Sequence, residues 1–184
     1  FKRDIKMESI SRVLKKELPL KAHAHRADDI MTVLRIAKEF DIELTLEHCT
    51  EGHKVVDEIA ESGFPAIVGP SMTTRSKVEL KDRTYKTPAI LAEAGVKVAL
   101  MSDHPVVPIH YLPVYAALAV RSGMARKEAL KAITINPAEI LGIDDKVGSI
   151  KEGKDADLVL FDGDPLAFET EVDTVFINGE KIEG

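Results

Sequence analysis

The chain has 184 residues, a formal net charge of −6, 45% hydrophobic and 30% charged side chains, and one cysteine. This composition excludes a disordered chain, and the acidic balance removes the electrostatic case for nucleic acid or anionic membrane as partners. Cys49 alone excludes an internal disulfide and suits a reducing, cytoplasmic compartment, and no apolar run approaches the roughly 18 residues of a membrane-spanning helix.

Phe1-Lys2-Arg3-Asp4-Ile5-Lys6 has no signal-peptide apolar region and no initiator Met. It reads as mid-helix, so the chain is expected to start inside a larger protein. Ile10, Val13, Leu14 and Leu18 repeat at helical spacing and predict a helix over 5–18 that Pro19 ends. A short strand over 20–23 follows, then an amphipathic helix over 27–40 with Asp28 and Asp29 in its first turn, where the helix dipole favours them. The next strand is 42–48. Thr50 is placed to cap a helix that runs to Glu61 and stops at Gly63.

A third strand is predicted over 65–68, a long loop over 69–83, a helix over 88–94 and a fourth strand over 96–101. This alternation argues for βαβ units and a parallel sheet. Helices are expected over 110–122, 126–133 and 137–141, the last with Asn136 as cap and Pro137 at its first position. From Val147 the pattern changes to short, glycine-punctuated β-rich runs over 156–161 and 172–177, with Asn178-Gly179 as a type I′ hairpin signal leading to 180–182.

Histidines and an aspartate stand at the ends of these strands. His23 closes the first, and His48 lies 25 residues later at the equivalent place in the next unit. A parallel α/β fold builds its sites at that face. A strand-end histidine also serves as a hydrogen-bonded structural residue, but two at equivalent positions point to one rim. Asp103 follows the apolar run 96–101, where Ser102-Asp103-His104-Pro105 would suit a turn as well as a ligand. His, His and Asp are donors that Zn²⁺ takes in hydrolytic sites that keep a position open for water, whose pKa falls towards about 7 there. Asp103 could ligate and act as base, and His48 could ligate or instead orient a scissile carbonyl.

His25 could chelate one ion together with His23, although the strand is expected to end at His23. Arg26, Arg75 and Arg83 could hold an anionic group by paired hydrogen bonds, with solvated surface as the competing role. Cys49 is expected to be a packed thiol, His53 an exposed first-turn residue, and His104 and His110 to cap and pack the next helix rather than line the mouth of a site. There is no phosphate-cradling loop and no Gly-x-Ser-x-Gly elbow. One tension remains. If His48 faces inward, strict alternation turns Leu46, Leu44 and Ile42 inward with it and leaves Glu43, Thr45 and Glu47 towards the helices.

Lys21-Ala22-His23-Ala24-His25, Leu46-Glu47-His48 and Leu100-Met101-Ser102-Asp103 resemble strands five, six and eight of the amidohydrolase superfamily barrel, nearest to its imidazolonepropionase-like group. Asn136-Pro137-Ala138-Glu139-Ile140-Leu141-Gly142 is similar to that family's final barrel helix. The run from Gly148 to Val159 resembles the return of the chain into a β-sandwich, and Val175 to Glu180 its closing hairpin. The resemblance implies an α/β fold: the C-terminal half of a (β/α)8 TIM-type barrel, strands 5–8, in residues 1–146, and a small β piece of a composite sandwich in 147–184.

It also implies that His23, His48 and Asp103 bind a divalent metal, zinc as one or two ions, that Asp103 shuttles the proton, and that His25 is a pocket residue. Arg26 and Arg75 join His25 as candidate substrate contacts. The implied activity is hydrolysis of amide or cyclic amide C–N bonds of a small-molecule substrate through metal-activated water. The family's first-strand His-x-His pair and strand-four Lys or Glu have no counterpart in this sequence. The chain is therefore expected to work as part of a longer parent, or to be an assembly half that keeps the fold without metal. Open sheet edges at the His23 and Asp103 strands lead to an expected homo-oligomer or pairing with the N-terminal half.

Overall fold

The computed structural model describes residues 3–183. Helix α1 (Ile5–Leu14) starts at Asp4, whose carboxylate accepts from the N–H groups of Lys6 and Met7. It buries none of its residues, and Ile5, Met7, Ile10 and Leu14 are all at least half exposed. The helix stops short of the expected residue 18 because the chain turns at Lys16, φ +58°. After β1 (Leu20–Ala24), α2 (Ala27–Phe40) buries Ile30, Leu34 and Ala37 and ends in a left-handed residue, Asp41. The first turn of α2 is held from a distance: Glu51 accepts from the Ala27 N–H at 3.0 Å.

Strand β2 (Leu44–His48), a 3-10 turn (Gly52–Lys54) and α3 (Val56–Ser62) follow, with Gly63 as the left-handed stop. Then come β3 (Ala66–Val68), a long connection carrying a 3-10 turn (Val78–Leu80), α4 (Thr87–Glu93) and β4 (Val98–Leu100). A 3-10 turn (Ile109–Tyr111) leads into α5 (Leu112–Arg121), α6 (Arg126–Lys131) and α7 (Ile135–Leu141).

The four strands form one parallel sheet in the order β1-β2-β3-β4. Its two faces differ in chemistry. Ala22, Ala24, Leu44, Leu46, Ala66, Val68, Val98 and Leu100 are buried against the helices in one cluster with Ile30, Leu34, Ile59 and Leu91. Removing such apolar surface from water is the main stabilising term, about 25 cal/mol per Å². The opposite face carries Lys21, His23, Thr45 and Glu47. Glu47, Ile67, Ala99 and Asp103 line a cavity of about 370 Å³ there. The polarity expected from strict alternation is therefore reversed: Leu44 and Leu46 face the helices, and Thr45 and Glu47 face away.

The expected open edge at β4 has no further strand beside it among the described residues, but two of its groups are satisfied within the chain. The Leu100 N–H donates to the Ala132 carbonyl at 2.9 Å, and Asn136 Nδ2 donates to the Val98 carbonyl at 2.7 Å. Asn136 is thus not the helix cap that its place before Pro137 suggested. It lies inside α7 and uses its amide to finish the ladder. Asn136→Ala is expected to cost about 1–3 kcal/mol, because it strands a buried carbonyl; urea unfolding measures this, and an unchanged midpoint would refute the capping role. At the other side, β1 has no further strand beside it among the described residues.

The tail forms an antiparallel sheet of β5 (Leu158–Phe161), β6 (Val172–Ile177) and β7 (Glu180–Ile182). Asn178 and Gly179 both have positive φ, +53° and +81°, as a type I′ hairpin requires. Val159, Leu160, Val172 and Ile177 stay about half exposed. The tail returns to the helices through an Arg126–Asp164 ion pair. Gly148 also lies so close to α7 that a Cβ there would meet Ala138 Cβ at 2.7 Å.

Candidate metal centre

The ends of β1 and β2 bring three histidines together. The donor atoms of His23, His25 and His48 all lie within 4.8 Å of one another. Their ring centroids are 4.1 Å (His23–His48), 4.6 Å (His25–His48) and 4.8 Å (His23–His25) apart. His23 and His25 share a face by the period of two along the strand. His48 joins them for a different reason. The chain takes left-handed geometry at His48 and Cys49, φ +68° and +46°. That turn lifts the His48 ring off the Leu44–Leu46 face and onto the rim beside His23. Non-glycine residues rarely adopt this conformation, at a cost of roughly 1–2 kcal/mol each.

Two contacts hold the turn. The Cys49 N–H donates to the Ala24 carbonyl at 3.0 Å, tying the bend to β1. The Cys49 side chain is fully buried, directly beneath Gly52, where a Cβ would meet its sulfur at 2.5 Å. Burial pushes the Cys49 thiol up to about 12, so it is a packing group, as the sequence suggested. A thiol reagent at pH 8 is expected to label Cys49 only as the chain unfolds in urea. Rapid labelling of the native chain would contradict this packing.

His48 Nδ1 donates to the Gly69 carbonyl at 2.7 Å. That bond fixes the tautomer: Nδ1 carries the proton and Nε2 keeps its lone pair. Gly69 is needed in this place. Its φ is +144°, and a Cβ would lie 2.0 Å from the Met101 carbonyl oxygen. Burial lowers the His48 pKa, against the raising effect of the Gly69 bond. Burial, then the charge of His48, lowers His25 to about 4. Both imidazoles are therefore neutral at pH 7, the form that binds metals. On donor type, spacing and protonation the cluster fits a divalent ion.

His25 is held by Thr50, with Nδ1 2.7 Å from the hydroxyl. The Thr87 hydroxyl donates to the Thr50 carbonyl at 3.3 Å and lies 2.9 Å from His53 Nδ1. Thr50 is thus not the helix cap expected from its position; the 3-10 turn that follows has no side-chain cap, and the hydroxyl serves His25. His53 is half-buried rather than exposed, with its pKa lowered mainly by burial. His104 and His110 are both exposed and cap nothing; His104 lines the 370 Å³ cavity beside Asp103, and His110 lies against Tyr111, 4.3 Å between ring centroids.

Asp103 stands outside the three-histidine cluster. It adopts a left-handed turn, φ +53°, with its carbonyl accepting from the Val106 N–H at 2.8 Å. Its carboxylate lines the 370 Å³ cavity, and its charge acts on His48. The turn and the site position are both present in the one residue. The arginines are engaged elsewhere. Arg26 pairs with Asp28 at 2.9 Å, Arg75 donates to the Arg83 carbonyl at 3.0 Å, and Arg83 is bonded to Thr73 within the same loop.

The residues that reading the sequence missed are Gly69, Thr50 and Thr87, which hold the histidines, and Glu79, whose Oε1 lies 3.7 Å from His25 Nε2. In the sequence Gly69 stood only as the entry to the 69–83 loop. Its carbonyl as a histidine's acceptor left no pattern in the sequence.

The whole chain superposes on an amidohydrolase from Thermotoga maritima with a TM-score of 0.94 at 48% identity, covering 48% of that chain. It is 38% identical over 111 residues to an imidazolonepropionase from Thermoplasma volcanium, covering 55% of this chain and 27% of the relative. It is 32% identical over 172 residues to a 5-methylthioadenosine/S-adenosylhomocysteine deaminase from Thermoanaerobacter pseudethanolicus, covering 78% and 38%. The chain therefore spans less than half the length of each of these proteins. No helix among the described residues is long and apolar enough to cross a membrane. The amidohydrolase family model matches residues 4–182, and the chain belongs to that family.

Proposed function

We propose that this chain is the C-terminal half of a (β/α)8 barrel, residues 1–146, with one sheet of a composite sandwich in 147–184, from a metal-dependent hydrolase of non-peptide C–N bonds. The observation that carries this is the meeting of His23 and His48, rings 4.1 Å apart, with the His48 Nε2 lone pair left free by Gly69. The polar face opposite the helices, the open edge at β1 and the half-exposed apolar tail sheet all suit a chain completed by further segments. The imidazolonepropionase and deaminase names of the relatives support C–N hydrolysis of a small molecule.

In this reading His23 and His48 would hold the ion, with Asp103 as the further donor. Zinc, as one ion or two, is the expected metal from the donor set. The ion would supply Lewis acidity and an acidified water. The chain's own residues do the rest. The Gly69 carbonyl holds the His48 ring in the ligating tautomer. The Asp103 carboxylate would take a proton from the attacking water and return it to the leaving nitrogen; with Nδ1–H on the Gly69 carbonyl, His48 would orient a scissile carbonyl only in place of ligating the ion. His25 lies in the pocket. Arg26 and Arg75 would contact substrate only by giving up their present partners. A reducing, cytoplasmic setting suits the unpaired Cys49.

Metal analysis of the purified chain, alone and joined to the preceding segment of its parent, tests the reading. A stoichiometric divalent metal in the longer protein supports it. A longer protein that folds but holds none leaves the second reading, an assembly half that keeps the fold without metal. Gel filtration of the chain alone is expected to show self-association or partner capture through the β1 edge.

A further inference from the structure

We propose that His25 serves the site as a neutral hydrogen-bond donor through Nε2 and not as a metal ligand, with Thr50 and Glu79 as the positioning residues that fix this tautomer. The cluster invites the opposite view, since all three histidines come within ligand distance of one another. What separates them is the partner at each ring nitrogen. His48 Nδ1 faces a carbonyl, which can only accept, so His48 carries its proton there and Nε2 is bare. His25 Nδ1 faces the Thr50 hydroxyl at 2.7 Å, which can donate or accept.

The other end of the ring decides. His25 Nε2 faces Glu79 Oε1 at 3.7 Å, and a carboxylate can only accept. The ring proton is therefore favoured on Nε2, and Thr50 donates to Nδ1. The Thr50 hydroxyl is free to do so. Its recorded partner among the described residues is His25, and the Thr87 hydroxyl is directed to the Thr50 carbonyl instead. The two neighbouring imidazoles thus hold opposite tautomers. A bare Nε2 is ready to ligate; an Nε2–H must first give up its proton, which the Glu79 carboxylate opposes.

The partner's place in the fold adds a role. Glu79 sits in the 3-10 turn of the 69–86 connection, which the Lys54–Asp82 ion pair at 2.5 Å ties to the body and Arg83 on Thr73 braces from within. It is about one-third exposed and shares its charge with Lys77 at 3.4 Å. At 3.7 Å it faces the donor without a direct hydrogen bond. An oxygen acceptor entering the site can take the Nε2–H from that side. The substrate class this favours is one with a carbonyl or carboxylate oxygen turned to His25, a point that rests on the hydrolase reading above. The tautomer itself does not.

Long-range ¹H–¹⁵N spectra of the histidine rings in the 184-residue chain test this directly. His25 is expected to show a protonated Nε2 and a bare Nδ1, and His48 the reverse. Glu79→Ala, on a loop outside the core, is expected to move the His25 Nε2 signal and leave His53 in place. Thr50→Val is expected to shift part of the His25 population to the other tautomer. Added Zn²⁺ is expected to perturb Nε2 of His48 and leave the His25 nitrogens uncoordinated. A protonated Nδ1 on His25 in the metal-free chain overturns the proposal, as does Zn²⁺ on His25 Nε2 or a His25 signal indifferent to Glu79→Ala. Should Zn²⁺ perturb no histidine, the metal reading fails, and the metal-free tautomer still decides His25.

Discussion

Gly69→Ala is expected to lower the stability of the chain by at least about 4 kcal/mol, a loss in the range that marks a specific structural conflict. Two terms add. The backbone at φ +144° belongs to a region essentially closed to residues with a Cβ, which costs of order 1–3 kcal/mol. The Cβ would also sit 2.0 Å from the Met101 carbonyl oxygen and 3.3 Å from the Met101 nitrogen. Those are backbone atoms at the end of β4, tied to β3 by the Met101 N–H on the Val68 carbonyl at 3.0 Å. They cannot rotate away as a side chain would. A domain of this size has roughly 5–15 kcal/mol to lose, so partial unfolding at room temperature is the expected picture.

Gly63 supplies the control. It also has positive φ, +72°, but a Cβ there meets nothing within 4 Å. Gly63→Ala should cost only the conformational term, about 1 kcal/mol. Urea midpoints for the two variants separate strain from collision. Equal losses would show that the close approach of Gly69 to Met101 is not real.

The same site shows what was legible in the sequence. Period-two and helical patterns located the four parallel strands and most helices, because burial against helices selects runs such as Leu44 to Leu46 and Val96 to Leu100. The strand-end histidines could be placed on one rim because βα units repeat at a regular length. Their side-chain directions could not all be read. His23 and His25 follow alternation, but His48 reaches the rim by a left-handed turn that no residue type announces. That turn also explains the apparent conflict of polarity along β2. The parity rule holds through Glu47 and is broken at His48 itself.

Other misses share a physical origin. Thr50 and Asn136 were given local cap roles because caps are read from neighbours in sequence. Each instead makes a contact across the fold, Thr50 to His25 and Asn136 to the Val98 carbonyl. Short polar side chains satisfy whatever buried group lies closest, and a distant one leaves no local pattern. The β4 edge is the consequence with most weight for assembly. Open edges were inferred at both outer strands; neither has a further strand beside it among the described residues, and at β4 Ala132 and Asn136 already satisfy two of the edge groups.

His48→Asn is expected to weaken zinc binding by roughly 100-fold or more, since even residues that only support a ligand cost about 10–100-fold. Asn suits the test because it tolerates the left-handed conformation that His48 adopts at φ +68°. Its amide can still donate towards the Gly69 carbonyl, and unfolding in urea should change by less than about 1.5 kcal/mol, the worth of one hydrogen bond. The loss is then one of ligation and not of fold. His53→Asn, at a half-buried histidine outside the cluster, should leave zinc affinity unchanged. In the longer protein proposed above, Asp103→Asn should retain zinc more fully than His48→Asn and slow turnover by about 10²–10⁴-fold, the usual contribution of a positioned acid–base group. Competition with a chromophoric chelator reads the affinities. Retention of tight zinc by His48→Asn would place the metal elsewhere in the protein and remove His48 from the ligand set.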